Sequence, residues 1–237
     1  MEYAGERFAG WQRQRGRETV QGVLEQALVP LCGPDLAVVG AGRTDAGVHA
    51  LGQVAHFDTD RPRSPQVYLR AINATTPPEV TVLQASRVPF DFHARHSARW
   101  REYRYRISQR PSPPALERGR VWHHPVPLML DGMIRAAALL EGTHDFSAFR
   151  AASCQAASPV RTLRQALVTA HGDEIWITLV GNAFLHHMVR NVVGSLVRVG
   201  LGRWSVEDFR TVFESRDRTR AAATAPSQGL YLVRVIY

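Results

Sequence analysis

Gly42-Arg43-Thr44-Asp45-Ala46-Gly47-Val48-His49-Ala50 is the stretch on which the reading of this chain turns. Its glycines, with Gly40 just before them, supply tight turns and positive φ angles that other residues resist, so the stretch is a loop. Arg43 and Asp45 stand in its middle. The expected flanks are a strand ending at Val39 and another over Gln53 to Asp58, which would hold the loop rigidly. A carboxylate held two residues from a guanidinium suits a nucleophile or a general base. Taken alone, however, the loop is better described as an exposed turn in which Asp45 caps its own backbone.

Two familiar glycine-rich loops are excluded. A dinucleotide-binding GxGxxG starting at Gly40 would need glycine where Asp45 stands, and a P-loop would need lysine where Val48 follows Gly47. The nine residues instead resemble the signature of the A-type tRNA pseudouridine synthases, which modify uridines in the anticodon arm. Six further stretches match that family in the right order: Gly10 to Gln14, Asp91 to Arg95, Tyr103-Arg104-Tyr105, Gly142 to Phe149, Asn182 to Asn191, and Gly229 to Val233. One departure is clear. The family has Asp where Ala4 stands, and it opens with a longer apolar strand.

The charge agrees with an RNA partner. Basic residues number 29 against 21 acidic, a net +8, and every one of the 29 is arginine. Without lysine, Schiff-base chemistry and a Walker lysine are ruled out. The missing lysines fit a codon preference; the clustering of the arginines does not. From Arg87 to Arg120 there are nine arginines against Asp91, Glu102 and Glu117, a local excess of +6, as expected of a surface that tracks phosphates. Two cysteines, Cys32 and Cys154, make neither a disulfide framework nor a zinc site, so both are expected to be reduced. No apolar run reaches the length of a membrane span and the N-terminus lacks a signal-peptide core, so a cytoplasmic protein is expected.

The remaining chain is read by periodicity. Thr19 caps a helix through Leu31, Pro65 starts a second, and Val80 to Ser86 is a strand. Glu102 to Ile107 alternates, with Tyr103 and Tyr105 sharing a face. Asp131 caps a helix with Met133, Ile134, Ala137 and Leu140 inward. Arg161 to Ala170 and Glu174 to Phe184 form a hairpin around His171-Gly172-Asp173. An apolar stripe at helical spacing from Leu185 to Val197 leaves His186, His187, Arg190, Asn191 and Arg198 to the other side, with His186 and Arg190 one turn apart. The His186-His187 pair invites a zinc reading, but adjacent histidines are expected to diverge and nothing completes a ligand set; no metal is expected. His144-Asp145 is read as a structural turn. Trp11 is left open between a core anchor and a ring stacked on RNA.

The resemblance implies an α/β (α+β) fold of two similar ferredoxin-like halves, fused through a mostly antiparallel sheet with a basic central cleft. The boundary falls near Ala98, giving residues 1–98 with the aspartate loop and 99–237 completing the cleft. It also implies the isomerisation of uridine to pseudouridine at tRNA positions 38, 39 and 40, without a cofactor, by a homodimer. Asp45 matches the catalytic aspartate, Arg190 the arginine that pairs with it, Tyr103 the tyrosine that stacks on the target base, and Leu230 an apolar wall. Arg43 is the candidate for holding the flipped nucleotide. Asp45 would attack C1′, add to C6 of the base, or take the 2′ proton; the sequence does not choose. The competing classes are a non-catalytic RNA-binding protein or RNA chaperone, which has no need of Asp45, Arg190 and Tyr103 together, and a nucleosidase, which would release free uracil.

Overall fold

The computed structural model describes residues 1–237, which fold as two compact units: Met1–Arg99 with Tyr231–Tyr237, and Trp100–Leu230. The first contains β1 (Glu2–Tyr3), α1 (Val20–Cys32), β2 (Val39–Gly40), β3 (His49–Ala50), β4 (Ala55–His56), α2 (Pro65–Thr75) and β5 (Val80–Thr81). The second contains β6 (Trp100–Ser108), β7 (Trp122–His123), α3 (Leu130–Ala138), β8 (Gly142–Asp145), β9 (Val160–His171), β10 (Glu174–Gly181), α4 (Met188–Gly200) and α5 (Val206–Glu214). The last strand, β11 (Leu230–Ile236), belongs with the first unit from Tyr231 onward.

In the first unit, β1 lies antiparallel to both β5 and β3, and β3 runs parallel to β11. β2 and β4 pair separately as a short antiparallel ribbon. The strands β1 to β5 are each two residues long, so β5 stops at Thr81 where a strand to Ser86 is expected. Residues 82–99, which follow, contain neither strand nor helix. Period-2 patterning cannot register so brief a pairing. α1 begins as expected, with the Thr19 hydroxyl accepting from the Gly22 amide at 3.3 Å. Val20, Leu24 and Leu28 are buried in the core.

In the second unit, β6, β10, β9 and β8 form an antiparallel series, with β7 parallel to the other edge of β6. The pairing Tyr103↔Leu179, Tyr105↔Ile177 and Ile107↔Ile175 puts one apolar face against the helices, and all six are buried. Neither sheet closes into a barrel. No helix is long and apolar enough to cross a membrane.

Three expectations need correction. α3 starts at Leu130 with Met129 as its cap, so Asp131 lies inside the first turn instead of capping it. Ile134, expected inward, is 46% exposed, while Met133, Ala136 and Ala137 are buried. α4 starts at Met188, not Leu185, because His187 takes a left-handed conformation at φ 60 and breaks the helix before it can include His186.

Candidate active site

The signature stretch runs from β2 into β3, which its last two residues, His49 and Ala50, form; beside it the β2–β4 ladder is extended by the Ala41 amide donating to the Val54 carbonyl at 2.8 Å. Gln53, 1% exposed, reaches back across it: its side-chain amide donates to the Gly42 carbonyl at 2.8 Å and to the Tyr3 hydroxyl at 3.5 Å. Tyr3 and Thr44 share a hydroxyl hydrogen bond of 2.8 Å. Burial pushes the Tyr3 phenol up to about 12, opposed by its bonds to Thr44 and Gln53, so it stays neutral.

Backbone contacts complete the cradle. The Trp11 amide donates to the Thr44 carbonyl at 3.0 Å, and the Val48 amide closes the turn onto the Asp45 carbonyl at 3.2 Å. Gly10 sits at φ 99, where a Cβ would come within 2.6 Å of the Thr44 carbonyl oxygen. Trp11 is itself buried, with its ring packed so closely on Gly40 that a Cβ there would approach it to 2.5 Å. Of its two sequence readings, the core anchor is the one the structure bears out. Thr44 is buried, while Arg43 is exposed and Asp45 half-buried. The loop presents the guanidinium and the carboxylate on a rigid support.

Sequence reasoning passes over Tyr3, Gly10 and Gln53. Gly10 opens one of the stretches that resemble the family, and Gln53 is an amide set between Gly52 and the apolar Val54-Ala55, but neither pattern separates a buried support from an exposed residue.

The second unit carries the other candidates. Arg190, in the first turn of α4, donates from Nε to the Ala225 carbonyl at 2.8 Å, and the Ala225 amide returns a bond to the Arg190 carbonyl at 3.1 Å. Ala225 opens the segment that leads to Leu230, which is buried. Tyr105 holds the same segment: its hydroxyl donates to the Pro226 carbonyl at 2.7 Å, and Gly229 lies against its ring. Burial drives the Tyr105 phenol far above the ordinary tyrosine range, with the Arg190 charge opposing. Arg190 and Leu230 are thus joined through residues 225–229. Tyr103, also buried, meets Phe184 edge-on at 4.9 Å.

Asn191, expected on the open side of α4, is instead fully buried and anchors the start of the helix. It donates to the Phe149 carbonyl at 2.8 Å and accepts from Thr224 at 2.7 Å and Arg218 at 3.1 Å. The left-handed His187 also brings the His186 and His187 rings to 4.0 Å between centroids, so the two do not diverge as expected. His144 and Asp145 lie in β8, paired with Arg161 and Val160 of β9, and not in the turn expected of them; Asp145, at the end of the strand, has a structural role and accepts from the Ser147 amide at 2.8 Å.

The sequence profile of the tRNA pseudouridine synthase family matches residues 1–97 and 136–237. The chain belongs to this family. Pseudouridine synthases are isomerases that convert uridine to pseudouridine. The chain is similar to proteins named tRNA pseudouridine synthase A from several bacteria. It is 50% identical to that of Xanthobacter autotrophicus, covering 100% of this chain and 97% of the relative. It is 52% identical to that of Methylobacterium sp. strain 4-46, covering 100% and 95%. It is 50% identical to that of Rhodospirillum rubrum, covering 99% and 85%. In this member of the pseudouridine synthase family, the cradled loop carries the carboxylate of Asp45.

Proposed function

We propose that this chain isomerises uridine to pseudouridine in the anticodon arm of tRNA, at positions 38, 39 and 40, with Asp45 as the catalytic carboxylate. The observation that carries the reading is the Asp45 loop, in which Tyr3, Trp11, Thr44 and Gln53 are buried while the charged side chains Arg43 and Asp45 are left accessible. Such preorganisation is what a group needs if it is to act without reorganising at the transition state.

The reaction breaks the bond from ribose C1′ to N1 of uracil, turns the base, and joins it through C5, where a proton is released. Reactant and product are isomers, so atoms balance without a co-reactant. The target base leaves its stack at a cost of roughly a few kcal/mol, which arginine–phosphate contacts offset, and Arg43 holds the extruded nucleotide. Each of the three routes, attack at C1′, addition at C6 or removal of the 2′ proton, begins with the carboxylate of Asp45. Arg190 serves as its charge partner, Tyr103 stacks on the base and Leu230 walls the site. The working form is a cytoplasmic homodimer.

The test is site mapping. Unmodified tRNA carrying uridine at 38, 39 or 40 is incubated with the protein, and pseudouridine is located by carbodiimide labelling and primer extension. Stops confined to those positions support the proposal, and stops elsewhere contradict it.

A further inference from the structure

The helix α3 leaves apolar surface uncovered. Its inner side is spent on the core through Met133, Ala136 and Ala137. Leu130, Ile134 and Ala138, spaced four apart, run along its outer edge as one stripe. Met129 and Val126, in the segment that leads into the helix, are exposed as well, at 59% and 53%. The approach is fixed: the Gln109 side chain donates to the His124 carbonyl at 2.6 Å and accepts from the Leu128 amide at 2.9 Å. The Met129 amide bonds to the Gly200 carbonyl at 2.7 Å. These side chains are therefore held out on a rigid frame, and contiguous exposed apolar surface of this kind marks an interaction site.

Asp131 and Arg135 flank the stripe one turn apart, and neither has an ion-pair partner in the chain, not even the other. We propose that this face is where two copies of the chain meet, α3 against α3 and antiparallel, which names the contact surface of the homodimer reading and rests on it. A two-fold axis perpendicular to the pair of helices sets the same flank of each helix side by side. Centred near Met133, it brings Asp131 opposite the partner's Arg135 and Arg135 opposite the partner's Asp131. Two ion pairs then border a shared apolar seam. The patch has one charge of each sign, so it gives a polyanionic RNA little purchase, whereas a second copy complements it in both charge and hydrophobicity.

The experiment is sedimentation equilibrium on the full chain, with Ile134→Glu, Asp131→Arg, Arg135→Asp and the double reversal Asp131→Arg/Arg135→Asp. All three positions are on the surface of α3, and circular dichroism checks that each variant is folded. Ile134→Glu is expected to weaken dimerisation by about tenfold or more. Each single reversal should weaken it, and the double reversal should restore it to within about threefold of the wild type. A wild-type dimer left unchanged by Ile134→Glu, or a double reversal no better than its singles, overturns this surface while sparing the homodimer. A monomeric wild type overturns both.

Discussion

The side-chain amide of Gln53 donates to the backbone carbonyl of Gly42 at 2.8 Å, tying a residue beside β4 to the first residue of the signature loop. Gln53→Leu keeps roughly the volume and removes the donor, leaving the half-buried Gly42 carbonyl and the buried Tyr3 hydroxyl each short of a partner. Chemical denaturation should report a loss of about 1–3 kcal/mol. Turnover should fall further than tRNA affinity, because the carboxylate loses its position and the phosphate contacts do not. A variant with wild-type stability and wild-type turnover would remove Gln53 from the cradle.

Gly10→Ala tests the same cradle from its other side. A methyl group would have to sit 2.6 Å from the Thr44 carbonyl oxygen, on a backbone at φ 99. The strained conformation alone costs about 1–3 kcal/mol, so thermal unfolding should move to lower temperature and pseudouridine formation should drop. Gly16→Ala is the matched control. It too has a positive φ, 70, but a Cβ there meets nothing within 4 Å, and its activity should stay at the wild-type level.

How much of this is legible in the sequence depends on the range of the cause. The turn around Asp45, the Thr19 cap and the β9–β10 hairpin are set by neighbours along the chain, and they stand where the residues place them, save that His49-Ala50 form β3 and β10 stops at Gly181 where a strand to Phe184 is expected. Ile134 and His187 depart from the sequence reading because packing decides them. Helical periodicity gives Ile134 no label that separates a core position from an outward one next to Met133. The positive φ of His187 is a property of the folded approach to α4: histidine tolerates that region better than most residues but adopts it in only a minority of places, so the sequence does not mark this one. Gln53 and Tyr3 are invisible as supports for a related reason: their partners, Gly42 and Thr44, are distant in sequence and identifiable only in space.

Glu174 sets an acid limb on stability. Burial favours its neutral form, but two hydrogen bonds from Arg106, at 2.9 and 2.7 Å, and one from Trp176 at 2.7 Å hold its carboxyl below the ordinary value. A lowered carboxyl contributes stability that is complete above the unfolded-state value and is lost as the pH falls through the folded one. Urea titrations from about pH 6 down to about pH 3 should therefore show Glu174→Gln less stable than wild type at the upper end and the two converging at the lower. Parallel curves across the range would show that the carboxylate contributes no such stability.

Binding should be governed by salt. With an excess of +8 carried wholly by arginine, affinity for tRNA should fall steeply and log-linearly with salt concentration. Arg43→Ala, at an exposed position in the loop, should flatten that slope by about one if Arg43 meets a phosphate. It should also slow turnover at saturating tRNA. An unchanged slope and rate would deny Arg43 any contact with the nucleotide.

The central claim, that Asp45 turns a tRNA uridine into its C-glycoside isomer, is tested most directly by tritium release. Anticodon-arm tRNA labelled at C5 of uridine is incubated with wild type, Asp45→Asn and Asp45→Ala, without metal or cofactor, and label in solvent is measured beside tRNA binding. The account predicts release by the wild type alone, with the base still attached to the RNA, and near-normal binding by both variants. Release by either clean variant, or no release by a wild type that binds tRNA tightly, would contradict it.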